Sequence, residues 1–184
     1  PGFIAPEVMA TRALPLQDPK KNLPQISTDR HALAVLIYTF LLQRHPLDGG
    51  KVWDVNDTEH DDDLRYGEKA LFIEHPYDAT NRVKPSQLDP HELPQGDPQQ
   101  RPYTLCGPYL TRLFNRAFVE GLHAPARRPS AAEWEDALVK TCDLLQPCNC
   151  EQGWYVFDNT TQPKCPFCGK PYAGQLPVLN FYYA

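Results

Sequence analysis

PGFIAPEVM, residues 1–9, gathers Phe3, Ile4, Ala5 and Val8 around a single acid, Glu7. A carboxylate withdrawn from water must be paired and hydrogen-bonded, or its burial is strongly unfavourable. An arginine meets that need best, because its planar fork reaches both oxygens at once. Arg127 and Arg128 stand far along the chain, just before a helical stretch. From the residues alone Glu7 reads as a solvated loop acid and Arg127 or Arg128 as a surface cation. Whether that reading holds decides where the N-terminal segment sits, and with it the fold.

Around this stretch the sequence organises itself into three helices and a cysteine-rich tail. Ser27, Thr28 and Asp29 are helix-capping residue types placed directly before HALAVLIYTFLL, residues 31–42. They predict a helix over about 28–43, apolar on nearly every face and therefore central, with His45-Pro46 ending it. A short helix is expected near Val8–Arg12. Gly107-Pro108 opens a second long helix, whose Leu110, Leu113, Phe114, Ala117, Phe118 and Leu122 follow helical spacing. Ser130 and Glu133 form an S-x-x-E capping box for a third. Its stripe is Trp134, Ala137, Leu138, Thr141 and Leu145, and Pro147 is expected to stop it. Residues 47–100 read as an irregular insertion packed over the core, with short strands or turns around Val52–Val55 and Ala70–Glu74. Its acid run EHDDD, residues 59–63, reads as a solvated face.

Composition narrows the classes. The chain has 184 residues, 41% of them apolar, a formal charge of −5 and 20 prolines. Proline usage is about double the ordinary 5%, concentrated at 1–24, 76–108 and 163–177, which predicts extended or turning backbone there. The acidic balance argues against a nucleic-acid interface, which carries a basic stripe. The longest apolar run is too short to cross a bilayer and reads as a core helix. With no signal-peptide pattern visible, these features lead to the expectation of a cytoplasmic protein without membrane contact.

The tail reads CNCEQGWYVFDNTTQPKCPFCGKPY from residue 148. Cys148 and Cys150 form one close pair, and Cys165 and Cys168 another. Two such pairs supply the four thiolates of a tetrahedral structural zinc site, which is closed to water and therefore not catalytic. Gly169 gives the second knuckle freedom to turn. WYVF, residues 154–157, reads as a strand, DNTT as a turn, and LPVLNFYY, residues 176–183, as a closing strand. Disulfides are the alternative and need an oxidising compartment. Cys106 and Cys142 read as buried structural thiols, Cys142 being a weaker candidate ligand. Glu151, Asp158, Lys164 and Lys170 leave the tail near neutral, which suits folding support or a protein contact. The expected fold class is mainly α with a small β zinc ribbon, divided into 1–146 and 147–184.

Three stretches in order, PGFIAPEV (1–8), STDRHALAVLIYTFLLQRHPLDG (27–49) and RRPSAAEW (127–134), resemble the C-terminal half of the large lobe of a serine/threonine protein kinase. Ala5-Pro6-Glu7 is similar to the A-P-E that closes the activation segment. The resemblance covers about 1–46 and 105–146. It implies that Glu7 pairs with Arg128, that Pro1, Gly2 and Phe3 belong to the segment receiving protein substrate, and that Asp29 hydrogen-bonds the backbone of the catalytic loop. Ala32, Leu33 and Ala34 stand where the family usually carries a glycine.

The Gly-rich loop, the V-A-I-K lysine, H-R-D and D-F-G are not found in the sequence. The resemblance thus implies a fragment that is inactive alone, with ATP and Mg²⁺ bound only by an intact parent. The zinc tail narrows the likeness to bacterial kinases with a C-terminal zinc finger. Some of these are partners of a phosphatase and a von Willebrand A-type protein. Two further readings stand beside the kinase: a pseudokinase scaffold and a zinc-stabilised interaction module. A central helix that is apolar all round also predicts either self-association or an insertion folded over its open side.

Overall fold

The computed structural model describes residues 2–93, 96–157, 164–172 and 174. Architecture is mainly helical. In chain order come α1 (Pro6–Met9), α2 (Ile26–Leu42), α3 (Thr58–Tyr66), α4 (Gly107–Asn115) and α5 (Ala131–Asp143). A two-stranded antiparallel sheet follows, β1 (Leu145–Pro147) with β2 (Trp154–Val156).

The central helix α2 begins two residues earlier than its capping signal suggests. Gln25 is the cap residue, and Thr28 sits at the third helical position, accepting from the Gln25 N–H at 2.9 Å. Because Thr28 closes the capping box from inside the helix, Ser27 and Asp29 are carried into the first turn. At the other end Gln43 adopts a left-handed conformation with φ 55°, and its N–H returns to the Thr39 carbonyl. The turn therefore precedes His45-Pro46.

Helix α4 runs on into one wide turn, Arg116–Glu120, before Gly121. All six residues of its expected stripe are buried. In α5 the capping box forms as read, and Trp134, Ala137 and Thr141 are buried. Leu145 does not join that stripe. The helix stops at Asp143, and Leu145–Pro147 is already strand, because Phe157 N–H bonds Leu144 O and β2 offers three partners in register. The sheet begins before residue 147, so Leu145 and Gln146 belong to the tail rather than to the helix.

The core sits where α2, α4 and α5 meet. Tyr38 of α2 is ringed edge-on by Phe72, Phe114 and Phe118 at 5.6, 5.2 and 5.6 Å. Trp134 of α5 leans on Phe114 at 5.2 Å. Edge-to-face contacts of this kind add about 0.5–1.5 kcal/mol each beyond area burial.

Phe72 comes from the 47–104 stretch, which therefore supplies a core residue as well as a cover. Of the short strands or turns expected in this stretch, the described residues show a turn at Ile73–Glu74 and no strand, and its acid run is helical. Asp57 caps α3 by accepting the His60 N–H at 3.0 Å. Asp61 is buried, accepting from the backbone of Trp53 and Asp54 and from Arg65 Nη2 at 2.6 Å. Burial alone would raise the Asp61 pKa, but those two N–H groups and the guanidinium outweigh it and hold the carboxyl below its ordinary range. The run is thus half solvated face and half anchor.

His31, on the buried side of α2, is 1% exposed, and neither ring nitrogen has a hydrogen-bond partner among the described residues. Burial first, then Arg128 and the histidines at 45 and 123, lower its pKa to about 3. The folded protein holds the ring neutral, whereas the unfolded chain protonates it near its ordinary 6.5. Below that value the unfolded state binds the extra proton, so stability falls with pH by about 1.4 kcal/mol per unit. Urea midpoints of wild type and His31→Phe at pH 7 and pH 5 should diverge, with wild type losing about 2 kcal/mol more over the interval. Parallel pH profiles would contradict this.

Candidate functional site

Two constellations carry chemistry. The first is the pair posed by the opening stretch. Arg128 Nη1 and Nη2 donate to Glu7 Oε1 and Oε2 at 2.8 and 2.7 Å, a two-bonded fork. The remaining donors are used as well. Nη1 reaches Ser27 O at 3.0 Å, Nε reaches Gly121 O at 2.9 Å, and Nη2 reaches Leu122 O at 2.9 Å. Arg128 is 1% exposed and the Glu7 side chain 19%. One guanidinium thus ties α1, the first turn of α2, the end of the α4 segment and the entry to α5.

Of the residues assigned to substrate, Pro1 lies outside the described residues. Gly2 lies against His45, whose Nε2 pairs with the Gly2 carbonyl at 3.0 Å. A Cβ at Gly2 would come within 2.6 Å of that nitrogen. The Leu47 N–H donates to His45 Nδ1 at 3.2 Å, so Nε2 carries the proton and donates. Phe3 meets the His45 ring edge-on and is half exposed. Asp29 is exposed on the first turn of α2, and its carboxylate has no hydrogen bond or ion pair among the described residues.

The second constellation is the tail. The Sγ atoms of Cys148, Cys150, Cys165 and Cys168 all lie within 4.8 Å of one another. Cys148 and Cys168 are 3.6 Å apart, Cys150 and Cys165 3.8 Å. Four thiolates about 2.3 Å from a tetrahedral zinc are about 3.8 Å from each other, so the donor set and spacing fit that ion and the four cysteines can hold it.

Local backbone explains the convergence. Cys148 N–H bonds Gly153 O and Gly153 N–H bonds Cys150 O. In the second knuckle Gly169 N–H returns to Cys165 O and Cys165 N–H reaches Lys170 O, with Gly169 at φ 71°. A side chain there would be strained, which is the reason for a glycine after the last cysteine. Desolvation opposes ionisation of Cys150, but the Gln152 N–H and the adjacent thiols outweigh it and lower its pKa to about 7. Its partner in the same knuckle, Cys148, is pushed the other way, to about 12, because the bond from the Cys150 N–H is outweighed by desolvation and by its three thiol neighbours, so only Cys150 lies near the thiolate form.

Cys142 is exposed and outside the cluster, a correction to its reading as buried or as a ligand. Cys106 is half-buried, and burial pushes its thiol up to about 12, which leaves it inert. Strand β2 forms over Trp154–Val156 as read, while the DNTT turn and the closing strand at 176–183 lie outside the described residues.

One buried network escaped sequence reading. Glu74 accepts from the Tyr38 hydroxyl, from Arg44 Nη2 at 2.6 Å and from the Tyr103 N–H at 3.0 Å. Arg44 Nη2 also donates to Arg101 O at 2.6 Å. The signal was present: Glu74 ends the run ALFIE, the same lone acid among apolar residues that drew attention to Glu7.

No helix among the described residues is long and apolar enough to cross a membrane. Comparison of the chain with protein-family models, with curated proteins and with solved structures found no match in any of the three, so geometry carries the functional assignment.

Proposed function

We propose that this chain is the substrate-side part of the large lobe of a bacterial serine/threonine protein kinase, followed by a structural zinc ribbon. The observation that carries the reading is the Arg128 fork. It joins the glutamate of the A-P-E tripeptide to the arginine ahead of the R-P-S-A-x-E-W helix, with the central helix between them. In this reading α2 supports a catalytic loop, Asp29 holds that loop's backbone, and residues 1–3 present protein substrate. Phosphoryl transfer demands positioning and charge stabilisation more than covalent participation by the protein, and a helix fixed at both ends suits a positioning role. The chain itself transfers nothing in this account, because ATP and Mg²⁺ belong to the part that α2 would support.

The open face of α2 agrees with such a partner. Ile26, Leu36 and Phe40 are exposed at 73%, 55% and 76%. The described residues of the 47–104 stretch pack on the Tyr38 side through Phe72 and leave Leu36 and Phe40 exposed. The same apolar face favours a second reading, a scaffold or interaction module that binds protein without catalysis. A phosphatase and a von Willebrand A-type protein would be candidate partners, and self-association a consequence in isolation.

The test is phosphoryl transfer by the gene product that carries this chain, supplied with ATP, Mg²⁺ and a general protein substrate. Serine or threonine phosphorylation is expected, with Asp29→Ala reducing kcat while circular dichroism stays unchanged. Failure of the gene product to bind ATP or transfer phosphate would overturn the kinase reading in favour of the scaffold.

A further inference from the structure

We propose that the metal centre is coupled to the helical body through Phe167, so that metal loading holds the Arg101–Tyr103 segment and with it the buried Arg44–Glu74 pair. The proposal rests on the four-cysteine metal reading and goes beyond it. Phe167 lies between the two ligands of the second knuckle. Its ring is faced by the Arg101 guanidinium, whose central carbon is 4.1 Å from the ring centroid. Arg101 is also held through its backbone: its carbonyl accepts from Arg44 Nη2 at 2.6 Å, and its N–H donates to Asp97 O at 2.8 Å. Two residues on, the Tyr103 N–H donates to Glu74 at 3.0 Å. One short segment therefore touches the knuckle with its side chain and the ion pair with its main chain.

The ribbon lies close at a second point, where Val156 Cγ1 is 2.4 Å from the place a Cβ would occupy on Gly107. A cavity of about 170 Å³ is lined from both parts, by Leu41, Leu42 and Leu105 of the helical body and by Gln152 and Phe167 of the ribbon. The ribbon's own scaffold is small, two strands of three residues and one isolated bridge. Hairpins of that size are marginal in water, so knuckle geometry depends on the metal. Loss of the ion frees Phe167, and Arg101 loses its only aromatic cover among the described residues.

Hydrogen exchange on the full chain tests this. Zinc removal by a chelator should speed exchange of the Tyr103 amide, leaving the amides of Thr58–Tyr66 unchanged. Phe167→Ala should do the same by about two- to fivefold, the range of a half-exposed cation–π contact, with one zinc per chain retained by elemental analysis. Arg101→Ala, which removes no metal ligand, should match it. Zinc-loaded Phe167→Ala and Arg101→Ala proteins with wild-type exchange at Tyr103 would overturn the coupling and leave the metal reading standing. Wild-type protein that binds no zinc would overturn both.

Discussion

Arg128→Met is expected to lower the unfolding free energy by about 3–5 kcal/mol, the range for removing one partner of a buried ion pair. Methionine keeps much of the length and apolar stem, so the loss reports on the guanidinium rather than on a void. Three backbone carbonyls, those of Ser27, Gly121 and Leu122, lose a donor together with Glu7. For a chain of this size each kcal/mol moves the thermal midpoint by about 2–4 °C, so a drop of about 6–20 °C is expected. Glu7→Gln should cost less, about 1–2 kcal/mol, because that side chain is 19% exposed and an amide still accepts one bond. The double variant should lose less than the sum, since residues in one hydrogen-bonded network are not additive. Thermal and urea unfolding of the four proteins measures all of this. A loss below about 1 kcal/mol for Arg128→Met would reduce the fork to a surface pair.

Metal removal is the second large effect. Protein purified without chelator should carry one zinc per chain, and chelation should abolish the order of 145–157 and 164–172, because apparent zinc affinities of about 10–16 kcal/mol are folding energy in such modules. Near-ultraviolet circular dichroism from Trp154 and Tyr155, and protease sensitivity after Leu144, follow the loss. Cys150→Ser or Cys165→Ser should release the ion. Cys106→Ser and Cys142→Ser should not, since neither joins the cluster. Cobalt exchange should give the intense charge-transfer absorption of tetrahedral thiolates. An absence of zinc, or full retention by Cys165→Ser, would remove the metal site.

The features legible in the sequence were those written in local chemistry. The Ser130–Glu133 box, the apolar stripes of α4 and α5, and the cysteine spacing each specify their element with residues close in the chain. Helix α3 was hidden because TEHDDDLRY has almost no apolar periodicity. What makes it a helix is the Asp57 cap, acids in its first turn and Arg65 in its last, which suit the helix dipole. The start of α2 was misplaced because glutamine is an unusual cap, acting here only through Thr28. Glu74 and Arg44 are 30 residues apart, and pairing over that distance depends on tertiary packing. Glu7 and Arg128 are 121 apart and could be matched only through a family likeness.

Gly107 sits at the seam between the helices and the ribbon, with φ 85° and the Val156 methyl where a side chain would begin. Two separate restrictions, one of backbone handedness and one of bare volume, fall on the same atom. Even a single added carbon there would act as a wedge, prising the sheet away from the α4 entrance while leaving both halves intact. The junction is a joint with zero clearance, and its tolerance to mutation is set by the smallest residue that exists.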